Sequence, residues 1–133
     1  EDEAGALAEA EVAELARRVR LYRGERPAPH LAGRTAIVGD DGVVTGASAR
    51  AAGRAARHRG ASREVLAAPG GAAAAEPELR RDFDEVVALE TPSEPFAIGE
   101  WYLRFGEVGD DEVLACLRRG WEENDWREPR AGA

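Results

Sequence analysis

The chain has 133 residues, 44% hydrophobic and 33% charged, with a formal net charge of −8 at pH 7. That length makes one domain, able to bury about two thirds of its unfolded surface, and the negative balance argues against general nucleic-acid binding or an anionic membrane surface. No apolar run approaches the roughly 20 residues of a membrane span, and the single cysteine, Cys116, cannot form an internal disulfide, which fits a reducing cytoplasm.

Residues 6–22 carry Leu7, Val12, Leu15, Val19 and Tyr22 at helical spacing, with charged residues on the other faces, and predict an amphipathic helix. The stretch RGERPAPH (23–30) breaks that pattern with a glycine and two prolines and reads as a loop. RTAIVGDD supplies a short strand from about Thr35. The alanine- and arginine-rich ASARAAGRAARHRG is a helix stopped by Gly60. Further strands are expected at 64–68 and 85–89, with a short helix over 76–83 between them. An aromatic segment, FAIGEWYLRF, follows TPSEP. DDEVLACLRRG is a closing helix with Asp110 as N-cap and Gly120 just past its end. The tail from Trp121 is charged and reads as frayed.

Strands alternating with helices imply a parallel α/β sheet. Three strands make a thin sheet with an open edge. Together with a first residue, Glu1, that is not Met, this leads to the expectation that part of the domain lies upstream.

The chemistry concentrates in AIVGDDGVVTGAS (36–48). Two adjacent carboxylates repel each other, and glycines weaken regular structure, so a ligand is the expected reason for placing both there. In open α/β sheets ligands sit beyond the carboxyl ends of the strands. Asp40 and Asp41 lie at that end. The turn from Gly42 to Ser48 offers backbone N–H groups, a helix start, and the hydroxyls of Thr45 and Ser48, which together suit a phosphate. The two acids can accept hydrogen bonds from vicinal hydroxyls. An acidic pair beside an anion cradle describes a sugar phosphate, most simply a ribose 5-phosphate. Rival motifs fit less well: the chain contains no lysine for a nucleotide-triphosphatase loop, GDDGVVTG is not a dinucleotide fingerprint, and the acids lack the alternate spacing of a calcium loop. The plain alternative is a strand-to-helix turn with Asp as a cap.

AIVGDDGVVTGAS resembles the phosphoribosyl-pyrophosphate motif of type I phosphoribosyltransferases, an apolar run, two acids, three small or apolar residues, then Thr-Gly-x-Ser. RLYRGERPAPHLAGRT before it and ALETPSEPFAIGEWYLRFGEVGDDEVLACL after it resemble small bacterial proteins of that family, so the likeness spans 19–118. Gly39 and Gly42 depart from the usual pattern. The resemblance implies that Asp40 and Asp41 hold the ribose hydroxyls and serve as the catalytic pair. It implies that Thr45, Gly46, Ala47 and Ser48 wrap the 5′-phosphate, with Gly42, Val43 and Val44 included in the wider ribose 5-phosphate site. It places Arg23 and Arg26 in a loop that can close over pyrophosphate, the alternative being a solvated basic loop. It places Phe96 and Trp101 where a nucleobase is met, the alternative being core packing. The family's own pyrophosphate loop has no counterpart in 1–34. No metal ligand is assigned directly, and magnesium would be held mainly through the substrate. His30 and His58 are expected at the surface and Cys116 buried.

The fold class read from this is α/β, a three-layer Rossmann-like parallel sheet flanked by helices, incomplete on its N-terminal side. Residues 1–30 are taken as a helix and loop, 31–120 as the later half of the phosphoribosyltransferase-like core, and 121–133 as a tail. The functional expectation is transfer of phosphoribose from phosphoribosyl pyrophosphate to a nitrogenous base or other acceptor, in the cytoplasm. Neither nucleic acid nor membrane is a partner, and a homodimer is left open. The competing expectation is a non-catalytic module that binds a nucleotide or sugar phosphate.

Overall fold

In a computed structural model the described residues are 2–93 and 97–123. Their elements are α1 (Asp2–Arg23), β1 (Thr35–Gly39), α2 (Ala47–His58), β2 (Arg63–Gly70), a 3-10 turn (Ala73–Ala75), α3 (Glu76–Asp82), β3 (Glu85–Glu90), a second 3-10 turn (Ile98–Trp101) and α4 (Asp110–Glu123). The chain divides into two units, Pro29–Phe105 and the combination of Glu1–Ala28 with Gly106–Ala133.

The first unit is the α/β part, and its sheet is parallel with strand order β1-β2-β3. Thr35 to Gly39 pair with Arg63 to Ala67, and Val65 to Gly70 pair with Glu85 to Glu90. β2 is therefore central and longer than its apolar run, because neighbours on both sides keep its backbone bonded. Pro69 is tolerated in this central strand because β1 has already ended opposite Ala67.

Alternation along β2 sorts its side chains by face. Glu64, Leu66, Ala68 and Gly70 are buried, and the residues between them are half-buried. The buried face is covered by α2 and α3. α2 turns Ala49, Gly53 and Ala56 toward the core, a stripe of small residues one helical turn apart that lets the helix lie close to the strands. Val43, Ala49, Leu66, Ala68, Ala75, Leu79 and Phe83 form one cluster, with Val38 and Val86 packed against it. Arg50 of α2 ties this layer together through Glu78 at 2.5 Å and through Asp82, both on α3. On the opposite face Ile37 and Leu89 stay 71% and 79% exposed.

The second unit contains α1 and α4. Arg17 donates to Glu14 at 2.7 Å and to Asp110 at 3.0 Å. The Tyr22 hydroxyl donates to Asp110 at 2.5 Å. The Arg26 guanidinium lies 4.0 Å from the ring centroid of Trp121. The apolar stripe anticipated on α1 is present as helix, but Val12 and Leu15 are exposed.

Three expectations are corrected here. Asp110 does not cap α4. Its carboxylate is taken by Tyr22 and Arg17, and the carbonyl of Gly109 accepts the N–H groups of Glu112 and Val113. Gly120 does not end that helix, which continues to Glu123. Cys116 is exposed rather than buried, because the half-buried stripe of α4 runs through Val113, Leu114 and Leu117 and leaves position 116 beside it. His30 and His58 are exposed, as expected.

Candidate functional site

The turn between β1 and α2 begins where the sheet's hydrogen bonding runs out. The N–H of Asp40 donates to the carbonyl of Ala67 at 3.1 Å, and this is the last rung between β1 and β2. The chain then crosses over the end of β2. The Val43 N–H donates to the Gly70 carbonyl at 2.9 Å, and the Val43 carbonyl accepts from Ala72 at 2.8 Å. Val43 is 3% exposed and belongs to the core cluster. Val43 therefore pins the turn to the fold, with Gly42 buried beside it and Asp41, Val44 and Thr45 exposed.

Asp40 supports its own turn, since its Oδ1 accepts the N–H of Gly42 at 3.2 Å. The half-buried Asp40 is thus partly committed to backbone, and the exposed Asp41 is not. The Thr45 Oγ1 accepts the N–H of Ala47 at 3.4 Å, and Ser48 is exposed. Gly46 precedes α2 with φ of 76°, a left-handed conformation that an L side chain adopts only at a cost. A Cβ there would also lie 2.8 Å from the Cδ2 of Leu79. No side chain caps α2 and no acid occupies its first turn. Apart from the Ala47 N–H, which Thr45 takes in a long bond, its first N–H groups, with the positive end of the helix dipole, are left for an anion.

These residues enclose one cavity of about 280 Å³, lined by every position from Asp40 to Ala49 and by Ile98. The structure thus brings together all nine residues anticipated for the sugar phosphate. Ile98 enters from the second 3-10 turn, and a Cβ on Gly42 would meet its side chain at 2.9 Å. From the same segment the Tyr102 hydroxyl donates to the carbonyl of Asp41 at 2.7 Å. The Tyr102 ring tilts against Phe105 with centroids 5.2 Å apart. Sequence reasoning flagged this segment for its aromatic residues but missed that Ile98 and Tyr102 clasp the acid turn. Leu79, which fills the space a side chain at position 46 would need, was missed as well. No spacing rule connects residues this far apart in the chain.

Of the remaining candidates, Trp101 sits on the second 3-10 turn, 39% exposed. Phe96 lies outside the described residues. Arg23 is the last residue of α1, and Arg26 stacks on Trp121 within the other unit. Among the described residues no group of three or more His, Cys, Asp or Glu side chains is arranged to hold a metal ion.

No protein-family model matches the chain. Two curated proteins of Mycobacterium tuberculosis, "Putative phosphoribosyl transferase Rv0571c" of strain ATCC 25618 / H37Rv and "Putative phosphoribosyl transferase MT0597" of strain CDC 1551 / Oshkosh, are each 44% identical to it over 106 residues. The match covers 80% of this chain and 24% of each relative, so the chain spans about a quarter of their length. Among solved structures it is similar to the crystal structure of TT1426 from Thermus thermophilus, with 38% identity, a TM-score of 0.75, and coverage of 90% of this chain and 58% of that one.

Proposed function

From the premise that this chain is a homologue of bacterial proteins named "Putative phosphoribosyl transferase", we propose that it carries the sugar-phosphate part of a phosphoribosyl-transfer site. The observation that carries this reading is the cavity shared by the Asp40–Asp41 pair and the uncapped start of α2. The 5′-phosphate sits against the N–H groups of 46–48 and the hydroxyls of Thr45 and Ser48, where helix dipole and donors act together. The ribose hydroxyls donate to the carboxylates. Asp41 is the stronger grip, because Asp40 already accepts from Gly42.

The reaction replaces pyrophosphate at the sugar C1 with a nitrogenous acceptor, through a state with positive charge on the ring. The carboxylates hold the diol in place and stabilise that charge electrostatically, so the protein acts by positioning and by field rather than by covalent attack. Asp40 and Asp41 are hard oxygen donors of the kind magnesium accepts. They would meet a magnesium ion held mainly by the substrate's own oxygens, which supplies neutralisation of the leaving group. Tyr102 is a positioning residue, since it fixes the Asp41 backbone.

A second reading, a module that binds the sugar phosphate without turning it over, is favoured by one observation. Arg26, the anticipated clamp on the leaving group, is stacked on Trp121. Calorimetry and pyrophosphate release together separate the two. Asp41→Asn should weaken ribose 5-phosphate about 10-fold or more, the value of one charge-assisted hydrogen bond, and leave inorganic phosphate unchanged. Thr45→Val combined with Ser48→Ala should weaken both ligands. Equal losses for both ligands in Asp41→Asn would refute the diol assignment. Binding without pyrophosphate release from phosphoribosyl pyrophosphate in the presence of magnesium would favour the module.

A further inference from the structure

At the other end of the same sheet lies a cavity of about 570 Å³, twice the volume of the first, between the C-terminal ends of α2 and α3 and the amino ends of β2 and β3. Arg54, Arg57, Arg80 and Arg81 line it. The acids beside them are largely occupied. Asp84 accepts the Glu64 N–H at 2.7 Å and Arg57 at 3.5 Å, and Asp82 is held by Arg50. Arg80 pairs with Glu76 at 2.7 Å. Arg54 has one long contact, 3.7 Å to Asp82, and Arg81 has no ion-pair partner among the described residues. Guanidinium groups with unused donors therefore converge on one space.

The inner wall contains Glu64, whose side chain is 1% exposed. Its Oε2 accepts from Arg57 at 3.1 Å, but its Oε1 is buried with no hydrogen-bond partner. A buried acceptor left unmade is costly, and among native proteins such groups call for a specific explanation. The missing partner must be a donor, because an ionised carboxylate only accepts. The arginines on the same wall demand the opposite, an anion rich in acceptors. A phosphate that still carries a proton satisfies both at once. Its free oxygens accept from guanidinium groups in the planar, forked geometry arginine favours, and its O–H donates to Glu64. Arg57, which holds the other oxygen of Glu64, is itself 54% exposed at the cavity.

We propose that this cavity is a second binding site, specific for a hydrogen-phosphate group, either free or as a small phosphomonoester. It is built on the end of the sheet opposite the Asp40–Ser48 turn and does not depend on the function assigned to that turn. The volume exceeds what one phosphate fills and falls in the range of organic-ligand pockets, which favours the monoester.

The distinguishing probe is sulfate, which matches phosphate in tetrahedral shape and carries at least as much negative charge, but has no proton to donate near neutral pH. Backbone-amide NMR titrations at pH 6, where about half of a phosphomonoester carries its proton, separate the two sites by location. Inorganic phosphate and glycerol 1-phosphate should each move the amides of Arg57, Glu64 and Arg81 saturably, and should bind there at least about tenfold tighter than sulfate. A response to both ligands, or to one of them alone, supports the site and identifies the natural form. Arg81→Gln should remove the response at this end and spare the amides of 42–48. Glu64→Gln should abolish the preference for phosphate over sulfate. If that variant fails to fold, the exposed Arg81 still carries the test. Amides of 57, 64 and 81 that do not move with either phosphate, or that respond equally to sulfate, would overturn the proposal.

Discussion

Glycine at position 46 answers to two constraints at once, the φ of 76° and the 2.8 Å approach of Leu79 to where a Cβ would be. Gly46→Ala is therefore expected to destabilise the fold by about 1–3 kcal/mol from backbone strain alone. Urea unfolding checks this, and a loss below about 0.5 kcal/mol would show that the turn relaxes around the new methyl. Tyr102 poses the complementary case, in which a single hydroxyl holds the Asp41 carbonyl. Tyr102→Phe removes that hydroxyl and keeps the ring beside Phe105. We expect a loss of about 2–10-fold in ribose 5-phosphate affinity, the worth of one neutral hydrogen bond, with inorganic phosphate affinity unchanged. An unchanged thermal midpoint alongside a changed ribose preference marks positioning, and equal loss of both ligands would mark a structural role. The acid pair and the hydroxyls were legible in the sequence because their chemistry is local. The clasp by Ile98 and Tyr102 was not, because 61 residues of chain separate Tyr102 from Asp41 and only the path of the backbone brings them together.

Among the elements, the sheet shows how strongly burial outweighs residue type. Leu66 and Ile37 are both aliphatic strand residues, yet Leu66 is 1% exposed and Ile37 71%. Leu66→Ala should cost about 2–5 kcal/mol through lost contacts and the cavity left behind. Ile37→Ala should cost less than about 1 kcal/mol, mostly strand propensity. Chemical denaturation of the two variants tests which face of the sheet holds the core, and comparable losses would mean that the Ile37 face is covered in solution. Short apolar runs, an alanine- and arginine-rich stretch and glycine and proline breaks placed β1, α2, β2, α3 and β3 within a few residues of their final bounds. Ends were less legible. Gly120 reads as a stop, yet α4 passes through it, and Asp110 reads as a cap, yet Tyr22 and Arg17 claim its carboxylate. A cap signal is a local preference worth about 1 kcal/mol, and a charged partner from another helix can outweigh it.

For the molecule as a whole, the charge of −8 describes an average that conceals strong pairing. Arg17 and then Arg18 hold the Glu14 carboxyl down to about 2. Arg50 lowers Asp82, the Glu64 N–H lowers Asp84, and the Tyr22 hydroxyl followed by Arg17 lowers Asp110. A carboxylate whose pKa is depressed in the folded chain binds fewer protons there than when unfolded. Its contribution is complete above the unfolded value and is lost as pH falls through the folded one. The thermal midpoint should therefore stay level from pH 7 to about 5 and decline from about 4.5 toward 2. Circular dichroism melts across that range check the sign, and a midpoint that rises on acidification would show that net negative repulsion outweighs these pairs.

The amino-acid sequence alone was enough to establish the alternation of strands and helices and the parallel sheet, and to single out the acid-and-glycine turn between β1 and α2 as the candidate site. Each of these depends on residues close together in the chain, where periodicity and local hydrogen bonding act directly. Only the folded structure decided which face of the sheet is covered, what clasps Asp41, where Cys116 points, and that Glu64 is buried with one oxygen unmatched among arginines. Those outcomes are contacts between distant segments. Local pattern says which side of an element a residue lies on but not what will meet it there, and the partner is chosen by how helices and strands pack to exclude water.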